Sequence, residues 1–70
     1  MNREHVESSN IESVGYDVES RELEVEFKTG AVYSYSDVPP EVAEGLLNAE
    51  SVGRYFAAHV KGVYAYERVG

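Results

Sequence analysis

The sequence has no cysteine among its 70 residues, and this absence excludes two kinds of small protein. A disulfide framework cannot form, although small secreted domains usually depend on one, and a thiolate metal site is excluded as well. The absence therefore favours an intracellular protein, which we expect to be cytoplasmic.

Long apolar segments are also absent. The longest stretch without a charged residue, Thr29 to Ser36, contains a glycine and two serines, whereas a membrane span needs about 20 apolar residues. The first five residues, Met1-Asn2-Arg3-Glu4-His5, contain no apolar run, so we expect no signal peptide. The sequence predicts no membrane partner.

Basic residues are few: 6 lysine and arginine residues stand against 13 aspartate and glutamate residues, which gives a formal net charge of −7. Residues 1–50 carry three basic and twelve acidic side chains, a net charge of −9. Residues 51–70 carry three basic side chains and one acidic side chain, a net charge of +2. Because nucleic-acid binding places cations beside phosphates, this distribution leaves only the C-terminal segment as a candidate for it.

The length and the apolar content of 43% are typical of one small folded domain. Such a domain buries only about 60% of the surface that its unfolded chain exposes, so little remains for an enclosed active site. Residues 1–9 alternate charged and small polar side chains without hydrophobic periodicity, which predicts a flexible N-terminal segment. We therefore expect a single ordered domain over residues 10–70.

Apolar and polar side chains alternate between Ile11 and Ser36, and this period of two predicts a three-stranded antiparallel meander. The residues expected to share one face are Glu12, Val14 and Tyr16 on the first strand and Leu23, Val25 and Phe27 on the second. The alternate residues of the second strand, which then face water, are Glu22, Glu24, Glu26 and Lys28.

The turn before the third strand decides which side of the sheet Tyr33 and Tyr35 occupy. A two-residue loop would turn Ser34 and Ser36 towards the core. A three-residue loop over residues 28–30, with its glycine left-handed, turns both tyrosines there instead. We choose the second loop, since it gives an unbroken apolar face and a core role for both tyrosines, with their hydroxyls at the rim. Its register pairs Phe27 with Ala31, Val25 with Tyr33 and Leu23 with Tyr35.

Two helices are predicted after the sheet. The segment Val38-Pro39-Pro40 ends the third strand and begins a helix that runs to near Asn48. Ser51 is the expected N-cap of a second helix, and Gly62 its C-terminal cap. Residues 63–69 alternate again, which predicts a short edge strand or an extended tail. The fold class is therefore α+β, with both helices on one face of the sheet. The residues predicted to form the buried face of the second helix are Val52, Tyr55, Phe56, His59 and Val60.

Short motifs follow one another along the chain: Ser8-Ser9-Asn10-Ile11, Val14-Gly15-Tyr16-Asp17, Leu23-Glu24-Val25-Glu26-Phe27, Gly30, Tyr33-Ser34-Tyr35, Val38-Pro39-Pro40 and Gly53-Arg54-Tyr55-Phe56. Together they resemble the KTSC domain family over residues 8–69, with Tyr33-Ser34-Tyr35 at the place of the family's Tyr-x-Tyr motif. The resemblance implies a domain of unknown function that occurs alone in microbes and as a C-terminal extension of some lysyl-tRNA synthetases. That attachment implies association with RNA. The chain departs from the family at Phe56-Ala57, where members often have Phe-Asn.

The C-terminal segment contains the candidate nucleic-acid contacts. Aromatic rings interleaved with cations favour stacking on single-stranded bases, and this segment combines both. The same aromatic residues also suit the core, and the cations suit a helix C-terminus. The candidate contacts are Arg54, Lys61, Tyr64, Tyr66 and Arg68.

We expect neither an enzyme nor a metal protein. Ser34 or Ser36 with His59 and Asp37 is the one combination of nucleophile, base and acid, and no nucleophile elbow or oxyanion loop accompanies it. Two histidines without cysteine make a poor zinc site, and glutamates alternating on one strand stand about 7 Å apart, too far to converge on calcium. No cofactor and no small-molecule substrate is expected.

Two functional hypotheses follow. The first is a non-catalytic module that associates with tRNA or single-stranded RNA. The alternative is a protein-protein interaction adaptor that uses an exposed sheet edge or the acidic face of the sheet.

Overall fold

The computed structural model describes residues 2–70, which form one five-stranded antiparallel sheet and two helices. The elements are β1 (Glu4–His5), β2 (Ile11–Asp17), β3 (Glu22–Phe27), β4 (Val32–Tyr35), α1 (Pro40–Asn48), α2 (Val52–His59) and β5 (Tyr66–Arg68). The strands lie in the order β1-β2-β3-β4-β5. The predicted α+β class is confirmed, but the sheet has five strands, where the sequence predicts a three-stranded meander with a short C-terminal edge strand as one of two alternatives for residues 63–69.

Both helices cover one face of the sheet, which we call the inner face. Leu46 of α1 and Phe56 of α2 are buried there against Val14 and Val25 of the central strands. Of the helices in residues 2–70, neither has the length or the apolar character that crossing a bilayer requires.

The first additional strand, β1, lies in the segment that the sequence predicts to be flexible. Glu4 pairs with Val14 and His5 with Ser13, and Val6 enters the core at 8% exposure. The expected start of regular structure near Asn10 is therefore wrong. Two paired residues are too few to produce an alternating pattern in the sequence, which explains why the strand is missed.

A β-bulge at the start of β2 corrects the prediction for Glu12. Ile11 pairs with Phe27 and Ser13 with Glu26, so one residue of β2 is left without a partner between them. This extra residue places Ile11, not Glu12, on the inner face with Val14, because a bulge shifts the alternation of a strand by one position. The Glu12 carboxylate instead lies 3.1 Å from Nδ1 of His5.

The turn between β3 and β4 has the predicted three-residue form. The backbone N–H of Phe27 donates to the carbonyl of Ala31 at 2.9 Å, and Gly30 is left-handed with φ of +98°. Val25 pairs with Tyr33 and Leu23 with Tyr35, so the predicted register is confirmed. Both tyrosines consequently point to the inner face.

The helices begin where the sequence predicts. The Ser51 hydroxyl accepts a hydrogen bond from the backbone N–H of Arg54 at 3.3 Å and caps α2. His59, however, is exposed and not buried, which corrects the predicted face of α2. The buried side of this segment is narrower than predicted and consists of Val52, Phe56 and Val60. The ring of His59 instead packs on Tyr55, with centroids 4.4 Å apart.

The second additional strand, β5, is the short edge strand that the alternation of residues 63–69 predicts. It pairs with β4, with Tyr66 opposite Tyr35 and Arg68 opposite Tyr33. Residues directly opposite in a sheet point to the same side, so Tyr66 and Arg68 also lie on the inner face. The helices do not cover them, since both are exposed.

Candidate nucleic-acid interface

The part of the inner face beyond the helices holds a cleft of about 480 Å³ between α2 and the strands β4 and β5. Five aromatic side chains form its walls, and we call it the aromatic cleft. They are Phe27, Tyr33, Tyr35, Phe56 and Tyr66.

The five rings contact one another in a closed circuit. Four of the contacts are edge-to-face, with interplanar angles of 74–80° and ring centroids 5.5–5.8 Å apart. The fifth, between Tyr35 and Tyr66, is tilted at 35° with centroids 5.6 Å apart. Each such pair contributes about 0.5–1.5 kcal/mol beyond area burial, so the rings hold one another in place.

The two tyrosines of the Tyr-x-Tyr motif differ in burial. Tyr35 is only 5% exposed and belongs to the core, whereas Tyr33 is half-buried and presents part of its ring to the cleft. Burial raises the pKa of the Tyr35 phenol, and the neighbouring phenols of Tyr66 and Tyr33 raise it further. The Tyr35 hydroxyl therefore stays protonated at neutral pH.

The polar rim of the cleft comes from the turn before β2 and from the end of α2. Asn10 comes from the turn before β2, Lys61 follows the end of α2, and both line the cleft. The Ser8 hydroxyl donates to Oδ1 of Asn10 at 3.0 Å. A Cβ atom at Gly53 would lie 3.0 Å from the same oxygen, so glycine allows α2 to approach this turn closely. The motifs around Ser8 and Gly53 thus meet at the rim.

Charge is divided between the two faces of the sheet. No side chain that lines the cleft is acidic, and Lys61 is the charged residue of its lining within residues 2–70. On the outer face, Arg3 forms an ion pair with Glu24 and lies 3.9 Å from Glu26. The Ser13 hydroxyl donates to Glu26 at 2.8 Å. The acidic row is therefore partly neutralised within the chain and turned away from the cleft.

The structure brings together only some of the candidate contacts predicted from the sequence. Lys61 and Tyr66 line the cleft. Arg68 shares its face, but its Nε donates to the carbonyl of Gly70 at 2.9 Å. Arg54 lies in a neighbouring shallow depression, and Tyr64 packs against the core.

Sequence reasoning missed Asn10 and Phe27 as residues of the site. Phe27 is assigned correctly to the inner face, but its position at the uncovered end depends on how far the helices extend. Asn10 falls in the segment before the first predicted strand. The signal that points to Asn10 is the first of the short motifs, Ser8-Ser9-Asn10-Ile11.

The catalytic combination of Ser34 with His59 is not assembled. Ser34 is buried on the outer face, in register between Glu24 and Glu67, whereas His59 lies on α2 beyond the inner face. The sheet separates the hydroxyl from the imidazole. Within residues 2–70, no three histidine, aspartate or glutamate side chains are grouped so that they could hold a metal ion.

Comparison with known proteins assigns the family. The family model of the KTSC domain matches residues 7–64. The chain belongs to the KTSC domain family. A KTSC domain protein from Yersinia pestis has a crystal structure that superposes with a TM-score of 0.95 at 36% sequence identity, covering 99% of this chain and 97% of that chain.

Relatives of this KTSC domain are of two sizes. An uncharacterized protein of Stutzerimonas stutzeri is 54% identical over 56 residues, which cover 80% of this chain and 79% of that protein. A lysine–tRNA ligase of Nostoc punctiforme is 40% identical over 63 residues, which cover 90% of this chain but 11% of the ligase. The KTSC domain thus makes up about a tenth of the ligase.

Proposed function

We propose that this KTSC domain is a small non-catalytic module that binds single-stranded RNA in the aromatic cleft. The observation that carries the proposal is a cleft with five aromatic walls, an ammonium group at its rim and no carboxylate in its lining. Stacking of a base on an aromatic side chain contributes about 1–3 kcal/mol and requires no particular sequence. The circuit of rings holds the stacking surface in one arrangement before a base arrives.

The small number of cations limits the electrostatic part of binding. Lys61 at the rim and Arg68 on the same face are the groups placed to meet phosphates. For single strands the slope of log K against log salt is about −0.7 for each phosphate contact, so we expect a slope between about −0.7 and −1.4. Such a slope describes weak, local binding and not wrapping of an RNA around the domain.

The relation to a lysine–tRNA ligase supports an RNA partner, because the name of that relative specifies tRNA. The protein adaptor predicted as the alternative has less support. Arg3 and Ser13 already engage two glutamates of the acidic face. The two edge strands, β1 and β5, are only two and three residues long, and short edges pair poorly with a further strand.

Fluorescence anisotropy with a labelled single strand of about ten nucleotides, titrated between about 50 and 200 mM salt, tests the proposal. Lys61→Gln should reduce the steepness of the salt slope by about 0.7. Arg21→Asn is the matched control: it removes the same charge from the exposed turn between β2 and β3, and asparagine tolerates the positive φ of 58° there.

A second variant in the same experiment removes one aromatic wall of the cleft. Tyr66 is 62% exposed but makes two of the five ring contacts, so Tyr66→Ala should lower the free energy of unfolding by about 1–3 kcal/mol. It should also weaken binding by about 1–3 kcal/mol, the contribution of one stacked base. Urea denaturation of the variant checks that the fold is intact. Absence of salt-sensitive binding to the wild-type protein, or unchanged affinity in Tyr66→Ala, would refute the proposal.

A further inference from the structure

The orientation of the Asn10 amide is determined by the hydrogen bonds around Ser8. The Ser8 hydroxyl oxygen accepts from the backbone N–H groups of Asn10 and Ile11 at 3.4 and 3.3 Å, which uses both of its lone pairs. The Ser8 hydroxyl can then only donate its proton. The Asn10 side-chain atom 3.0 Å away must therefore be an acceptor, which is the carbonyl oxygen Oδ1 and not the amino group. The amino group Nδ2 is consequently the free end of the amide.

The side chain with this free end borders the cleft. Asn10 lines the aromatic cleft and also the shallow depression at the start of α2, which Ser8 lines as well. Because Oδ1 is engaged by the Ser8 hydroxyl, the amino group is the half of the amide left to donate to a ligand in the aromatic cleft.

Two side-chain groups that line the cleft are left to meet a ligand as donors only. The Asn10 amino group and the Lys61 ammonium group donate and cannot accept. The tyrosine hydroxyls around the cleft can do either, and no carboxylate lines it to accept from a base. A ligand edge rich in acceptors can use both of these donors and the tyrosine hydroxyls, whereas an exocyclic amino group can use only the hydroxyls.

We propose that the aromatic cleft prefers bases with a keto group, uracil and guanine, over cytosine and adenine, and that Asn10 reads this difference. The preference rests on the proposed binding of single-stranded RNA. Uracil and guanine present the acceptors O4 and O6 at the position where cytosine and adenine present amino donors. Ser8 is a positioning residue, because it holds the Asn10 amide with its amino group towards the base.

Uridine and cytidine oligomers test the preference most directly, since the two bases have almost the same size and stacking area. Anisotropy titrations with labelled oligomers of about ten nucleotides should give a dissociation constant about fivefold lower for uridine, the effect of one net hydrogen bond. Equal affinity for the two oligomers, with binding still sensitive to Tyr66→Ala, would overturn the keto preference and leave the proposed function intact. Binding of neither oligomer would overturn both.

Asn10→Asp replaces the amino donor by an acceptor of nearly the same shape, so the ratio of the two affinities should fall to one or reverse. Asn48→Asp adds the same charge at the end of α1, away from the cleft, and should leave the ratio unchanged. Ser8→Ala frees the Asn10 amide to turn and should lower the ratio while the salt slope stays the same. An unchanged ratio in Asn10→Asp would overturn the role of Asn10.

Discussion

Gly45→Ala tests how closely α1 and α2 must approach to form this fold. Gly45 lies inside α1, and a Cβ atom added there would lie 2.6 Å from Cζ and 3.1 Å from Cε2 of Tyr55 on α2. Real Cβ atoms do not approach ring carbons so closely, so the ring or the helix has to move. The Tyr55 ring also packs on His59 with centroids 4.4 Å apart, which opposes its displacement.

Two effects of opposite sign compete in this substitution. Alanine in place of glycine within a helix stabilises by about 0.8–1.0 kcal/mol. Overpacking of a well-packed contact destabilises by about 1–3 kcal/mol. We expect overpacking to dominate, since the added Cβ meets the Tyr55 hydroxyl as well as its ring carbons and His59 packs on the same ring, and we expect the free energy of unfolding to fall by about 1 kcal/mol.

Urea denaturation followed by circular dichroism measures this change, and the same substitution in a Tyr55→Leu background isolates its cause. Leucine lacks the ring atoms that Gly45→Ala would strike. In that background the substitution should raise the free energy of unfolding by up to about 1 kcal/mol, because only the helix propensity remains. If Gly45→Ala stabilised the wild-type protein, or had the same effect in both backgrounds, the packing argument would be wrong.

Two further predictions concern β4. Burial raises the pKa of Tyr35 in the folded protein above its value of about 10 in the unfolded chain. The folded state therefore favours the neutral phenol, and this contribution to stability is complete below a pH of about 10 and is lost as the pH rises above it. The urea midpoint should therefore fall as the pH rises above about 10, and fall less in Tyr35→Phe; equal curves for both proteins would contradict this reasoning. The Ser34 hydroxyl is buried without a hydrogen-bond partner within residues 2–70. Ser34→Ala should thus raise the free energy of unfolding, by no more than about 1 kcal/mol. Ser36→Ala, at an exposed serine, is the control, and a clear loss of stability in Ser34→Ala would contradict the prediction.

The elements that local chemistry determines are predictable from this sequence. The turn at Gly30 follows from the need for one left-handed residue, and it sets the register that turns Tyr33 and Tyr35 inwards. The start of α2 follows from the capping serine, Ser51. In each case the information lies within a few adjacent residues.

Features that depend on distant contacts are not predictable in the same way. The strand β1 and the bulge at Glu12 depend on pairing between segments whose own patterns are too short or irregular to reveal it. His59 fits the helical spacing of a buried residue, yet only the position of α2 on the sheet decides which row faces the core. The aromatic cleft combines side chains from β3, β4, α2 and β5, so its shape follows from the assembled sheet and not from any one motif.

The net charge of −7 does not by itself exclude an RNA partner, because its effect depends on distance and on salt. The glutamates of β3 project from the outer face, and successive side chains of a strand point to opposite sides of a sheet. The Debye length is about 8 Å at physiological salt, so salt weakens the effect of exposed carboxylates on the far side of the sheet more than that of cations beside the cleft. A phosphate at the cleft therefore interacts mainly with Lys61 and Arg68, and the outer carboxylates are screened. The same carboxylates repel RNA from the outer face, so the charge that opposes broad binding also directs an RNA strand to the aromatic cleft.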